Sequence, residues 1–145
     1  AVNMDEKMRL SLLLKIVNNL FERELNSKIS TLDLTRAQCS VLSYLNKNKD
    51  KEINPGDIER TFNLKRPTVT GILQRLEEKN FIIIEQRKND KRYKQVKLTD
   101  KSKEIDYIMK KNLFEAEKIL YKNISDKEKD ELYRILKIMM DNLVT

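Results

Sequence analysis

A mainly α-helical fold carrying one small β-hairpin is the class this sequence predicts, and three observations predict it. The 145 residues include only two Gly and two Pro, so tight turns are scarce. Apolar residues recur at helical spacing over most of the length, from MRLSLLLKIVNNLF near the start to LYRILKIMMDNL near the end. The exception is FIIIEQRKNDKRYKQVKLT, where three consecutive isoleucines and an alternating stretch flank a charged, turn-forming middle. With 39% hydrophobic residues, a chain of this size can build its own core without covalent staples.

The elements follow in order. From Met4 to about Asn26, two apolar series (Met8, Leu12, Ile16, Leu20 and Leu13, Val17, Phe21) give a long helix with a broad apolar face. ISTLDLTR is a connection, and Thr35 is placed to cap a second helix through RAQCSVLSYLN, with Ala37, Val41, Leu42 and Leu45 pointing one way. After the polar KNKDKE loop, Asn54 caps a short third helix that has Pro55 at its first position and Asp57 near its N-terminal dipole. In KRPTVTGILQRLEEKN, Val69, Ile72, Leu73 and Leu76 form one clean stripe over a helix at 66–79, and Asn80 suits the left-handed residue that ends it. FIIIEQR and YKQVKL read as strands joined by the turn KNDK. From Asp100 a long helix runs to Asn123. Ser125 and Glu128 then form a capping box that opens a last helix, with Leu132, Ile135, Leu136, Met139 and Leu143 on its apolar face.

Composition excludes several functions. There is no His, which removes the usual general base and the commonest transition-metal ligand. Neither a Gly-rich phosphate loop nor spaced metal ligands occur, so an enzyme is not expected and no cofactor is implied. The single Cys39 allows no internal disulfide, as in a reducing cytoplasm. No apolar run approaches the roughly 18 to 20 residues of a membrane span, and the first helix has no small-residue cleavage site. A cytoplasmic protein without a membrane partner is the expectation.

The net charge of +7 arises from 30 basic and 23 acidic residues, so where the excess sits matters more than its size. RKNDKRYK places Arg87, Lys88, Lys91, Arg92 and Lys94 within eight residues, beside Asp90. The face of the 66–79 helix opposite its apolar stripe carries Pro67, Thr70, Gly71, Gln74 and, at its edge, Arg75; Lys65, Arg66 and Thr68 surround its start. A merely solvated face would be dominated by Lys and Glu, whereas this one is small and polar. Two short helices followed by a hairpin with a basic tip make a winged helix-turn-helix: the second helix enters the major groove, and the hairpin reaches phosphates that the helix cannot. A winged helix also serves as a protein-docking or RNA-binding module without operator specificity. A docking face would be apolar and exposed, whereas this one offers Thr, Gln and Arg. For the Tyr and Met residues of the last helices, packing is the expected role, and for Cys39 a buried apolar one.

These residues resemble the MarR family of regulators over nearly the whole chain. LTRAQCSVLSYL is similar to the family's second helix, PTVTGILQRLEEKNFI to its recognition helix and first wing strand, and NDKRYKQVKLT to its wing. The wing is the most specific part, since an Asp, an Arg two residues on and a closing Leu-Thr are matched by Asp90, Arg92, Leu98 and Thr99. The resemblance implies a homodimer built from the terminal helices, at about 1–30 and 100–145, around a DNA-binding lobe at about 34–99. It also implies a pseudo-palindromic double-stranded operator, repression, and a wing Arg in the minor groove steadied by the Asp. On the terminal helices, Leu12, Leu13, Val17 and Leu20 with Ile135, Leu136, Met139 and Leu143 are the expected dimer contacts. Gly71 stands where many members carry Arg, Asn80 and Ser102 replace common glycines, and Glu59 replaces a usual small residue. Relatives that sense peroxide use a Cys in the first helix, which has none here, so a small organic effector, or none, is expected.

Overall fold

Among the described residues the chain forms six α-helices and one two-stranded antiparallel hairpin. The structure is a computed structural model and describes residues 8–87 and 89–144, apart from the side chains of Ser30, Arg87 and Lys91. Helix α1 spans Leu10–Ile29 and a 3-10 turn, Ser30–Leu32, ends at Asp33 in the left-handed region. It starts later and runs further than the sequence suggests. Met8 and Arg9 precede it, Met4 to Lys7 lie outside the described residues, and burial of Leu25 and Ile29 carries the helix past Asn26.

Local capping sets the next two starts. Helix α2, Arg36–Lys47, opens on Thr35, whose hydroxyl accepts from the Gln38 N–H while the Gln38 amide accepts from the Thr35 N–H. The same reciprocal pair, Asn54 with Asp57, opens α3, Pro55–Phe62; each such cap contributes about 1 kcal/mol. Ala37 does not face the core as its spacing suggested. It is exposed, while Gln38 and Cys39 turn inward, because Gln38 must fold back to close the cap and also accepts from Lys79 Nζ at 3.3 Å.

Helix α4, Arg66–Glu78, ends on Asn80 at φ 65°, the left-handed residue expected there, and the Phe81 N–H closes on the Leu76 carbonyl at 2.9 Å. The chain enters β1, Ile82–Arg87, which pairs with β2, Asp90–Leu98, in the register Ile82 to Leu98 and Ile84 to Val96, with an irregularity at Gln86/Arg87. Helix α5, Asp100–Leu120, and α6, Asp126–Val144, complete the chain. α5 stops three residues short of Asn123, which takes φ 66° in the turn to α6.

One core joins the central elements. Val41, Leu42 and Leu45 of α2, Ile58 of α3, Val69, Leu73 and Leu76 of α4, and Phe81, Ile82 and Val96 of the hairpin are buried together with Ile29 and Met109 from the flanking helices. The terminal helices differ. Leu12, Leu13, Val17 and Leu20 are exposed, and no residue of α6 is buried, although it carries Ile135, Leu136, Met139 and Leu143. Among the described residues no helix is long and apolar enough to cross a membrane.

Candidate nucleic-acid interface

Helices α3 and α4 are joined by a tight turn in which Asn63 is left-handed (φ 51°) and the Leu64 N–H returns to the Glu59 carbonyl at 3.0 Å. Burial of Ile58 on one side, and of Val69, Leu73 and Leu76 on the other, fixes how α4 is presented. Its opposite face is left to solvent: Lys65, Arg66, Pro67, Thr68, Thr70, Gln74 and Arg75 are all exposed. Lys65 is the N-cap residue but offers no side-chain cap, so the first N–H groups of α4 lack that partner.

Gly71 sits in mid-helix without a left-handed φ, and a β-carbon added there would meet nothing within 4 Å. Neither backbone geometry nor packing inside the chain requires a glycine, which costs the helix about 0.5–1 kcal/mol relative to Ala. Close approach of a partner is the remaining physical reason. Gly71→Ala is expected to raise the thermal midpoint by roughly 2–5 °C while weakening DNA binding. Unfolding curves and fluorescence anisotropy check the two effects, and a lowered midpoint would remove the argument.

The hairpin is built from its base outward. Leu98 pairs with Ile82 on the core side, and the Thr99 hydroxyl donates to the carbonyls of Asn80 at 2.7 Å and Phe81 at 3.2 Å. Thr99 therefore pins the end of β2 to the turn that starts β1, a physical role for the closing Leu-Thr. Ser102 is fully buried and donates to the Thr99 carbonyl at 2.7 Å, which holds the start of α5 to the same corner. Further out, the Val96 N–H donates to the Ile53 carbonyl at 2.8 Å and the Tyr93 hydroxyl to Glu52 at 3.0 Å, bracing β2 against the loop before α3. Neither brace was legible in the sequence, since both join residues about 40 apart.

Strand β2 starts at Asp90, so Asp90 and Lys91 belong to it and not to the expected KNDK turn; pairing of Arg87 with Asp90 overrides their turn preference. At a strand rise of about 3.3 Å per residue the tip stands roughly 17 Å beyond the base. There Asp90 Oδ1 accepts from the Arg92 backbone N–H at 3.0 Å, and the Arg92 guanidinium is 97% exposed. Lys94 is exposed as well. Of the other expected wing cations, Lys88 and the side chains of Arg87 and Lys91 lie outside the described residues.

One contact at the candidate site escaped the sequence reading. Glu59 of α3, whose side chain is 23% exposed, brings Oε2 to 3.9 Å from Nε of Arg66 at the start of α4. The sequence signalled Glu59 as a departure from the family's usual small residue, but not its partner. Among the described residues no group of three or more His, Cys, Asp and Glu side chains is placed to hold a metal ion.

A three-helix lobe with a buried core, an exposed polar second helix and a braced hairpin defines the winged helix-turn-helix class of DNA-binding proteins. Residues 32–92 match the profile of the MarR family. The HTH-type transcriptional regulator BilQ of Clostridioides difficile (strain CD3) is 31% identical over 108 residues, 74% of this chain and 72% of that protein. The solved transcription regulator MarR from Oenococcus oeni PSU-1 shares 31% identity at a TM-score of 0.77, over 92% of this chain and 99% of that one. S. aureus MepR in its DNA complex superposes at a TM-score of 0.87 over 94% of this chain and 99% of that one, a likeness of fold at 23% identity. The chain belongs to the MarR family, whose members are DNA-binding transcription regulators and not enzymes.

Proposed function

We propose that this regulator works in the cytoplasm as a homodimeric repressor of pseudo-palindromic double-stranded operators, released by a small organic effector. Residues 34–99 are the reading lobe, and the helical segments at about 1–30 and 100–145 are the dimerisation arms. The observation that carries the reading is α6: nineteen residues with an apolar stripe and not one of them buried. A helix whose apolar stripe is left uncovered is marginal in water, and a two-fold copy supplies the missing cover. Pairing through α1 and α6 sets two α4 helices on one duplex, at half-sites separated by about one helical turn of DNA. Pro67, Thr68, Thr70, Gly71 and Gln74 then face the major groove, Lys65, Arg66 and Arg75 its rim, and Arg87, Lys88, Lys91, Arg92 and Lys94 the flanking backbone and minor groove. Selection of bound sequences from random duplexes, followed by stoichiometric titration, tests this. An inverted repeat with two protomers per duplex is expected, whereas a non-symmetric site taking one protomer would overturn it.

Oxidation is not the signal on this reading. Cys39 is 2% exposed, and burial pushes its thiol pKa up against the opposing influence of Arg36 and Lys79. The reactive thiolate is disfavoured and the oxidant has no access. Cys39→Ser is expected to bind operator within about threefold of the parent, and modest peroxide to release neither. Reversible release of the parent by peroxide, absent in Cys39→Ser, would make the protein a redox switch.

A further inference from the structure

We infer that Glu59 is a specificity-determining residue, which withholds Arg66 from guanine and leaves the recognition helix to read an A·T core. This rests on the reading that α4 enters the major groove. An arginine on such a helix is the commonest reader of guanine, through two hydrogen bonds to O6 and N7. Helix α4 has two arginines: Arg66 at its start, which faces a carboxylate, and Arg75 at the edge of its outer face. The Arg66 side chain is 85% exposed, yet its guanidinium lies 3.9 Å from the carboxylate of Glu59, a side chain only 23% exposed on the residue after buried Ile58. In water that pair contributes little. Inside a closed interface the balance changes: if Arg66 turned to a base, Glu59 would be left as an unpaired anion among phosphates, and like charges set against each other there are strongly unfavourable. Arg66 therefore stays with Glu59.

Arg75 sits two and a half turns further on, at the edge of the outer face, a position from which an arginine reaches the phosphate backbone before the base edges. The strip between them is Thr70, Gly71 and Gln74, with Gly71 open to solvent and free of any neighbouring side chain. Gln74 has the amide that pairs with adenine N6 and N7, and threonine methyl groups pack on the thymine methyl. No residue on that strip favours guanine.

The test is selection from random duplexes with the parent and with Glu59→Gln, which removes the charge at constant shape. The parent is expected to select A·T pairs beneath α4. Glu59→Gln is expected to gain a guanine preference of about tenfold at the position nearest the helix start. A parent that selects G·C pairs beneath α4 would overturn the inference. So would a Glu59→Gln protein whose preferences are unchanged, one that tightens equally on every sequence, or one that merely loses a cytosine the parent had selected, since Glu59 would then be reading that base itself. Failure of the parent to bind any duplex would instead remove the DNA-reading premise.

Discussion

Leu136→Asp is expected to convert the proposed dimer to a 17.3 kDa monomer and to abolish specific operator binding at concentrations where the parent saturates. Leu136 lies on the α6 stripe with Leu132, Ile135, Met139 and Leu143, all exposed in the single chain. Across a two-fold axis the substitution acts twice, and each unpaired carboxylate taken out of water costs several kcal/mol. At 1.4 kcal/mol per tenfold change, the dimer constant falls by on the order of a thousandfold or more. The lobe should survive, because none of its core residues lies on α6. Helix α6 itself should fray, so far-UV circular dichroism is expected to lose helicity together with assembly. Sedimentation velocity and anisotropy measure the two consequences. A Leu136→Asp protein that still sediments as a dimer, or a parent that is monomeric at micromolar concentration, would refute the proposed interface.

What the sequence made legible, and what it did not, divides by distance along the chain. The caps at Thr35, Asn54 and Ser125 were readable because each depends on a partner three residues away, and that spacing is visible in a string of letters. The left-handed Asn80 and the apolar stripe of α4 are local in the same sense. Elsewhere a pairing or a cap in the folded chain overrode the simplest local reading. Asp90 and Lys91 carry turn chemistry but are drawn into β2 by pairing with β1. Ala37 has the spacing of a core residue, yet Gln38 and Cys39 take the inward positions. At the candidate site the small polar face of α4 was legible as a composition. The carboxylate facing Arg66 was not, because only the turn at Asn63 brings Glu59 and Arg66 together.

Arg92→Ala is expected to weaken operator binding by roughly 10- to 100-fold per protomer while leaving the fold untouched. The structural half follows from its surroundings. The Arg92 side chain is 97% exposed, and its guanidinium lies 4.0 Å from Asp90 Oδ1, longer than a hydrogen bond; such a surface pair is worth about 0–1 kcal/mol at best. What shapes the tip is the backbone bond, in which Asp90 Oδ1 accepts from the Arg92 N–H at 3.0 Å, and Ala at position 92 keeps it. The functional half follows from where a charge at the end of a braced hairpin can reach. A narrow A·T-rich minor groove concentrates negative potential, which favours an inserted arginine, and a hydrogen bond to a charged group contributes about 1.5–3 kcal/mol. The loss should therefore be larger on operators with A·T-rich flanks than on those with G·C-rich flanks. Asp90→Ala removes the brace instead of the cation, so it should weaken both classes of operator by a smaller and similar factor, whereas Asp90→Asn, which keeps the acceptor, should behave nearly as the parent. Competition assays on flank variants, beside thermal unfolding of each protein, separate these outcomes. An Arg92→Ala protein that loses affinity equally on every flank would reduce the wing to a phosphate clamp, and one that loses none would remove it from the interface.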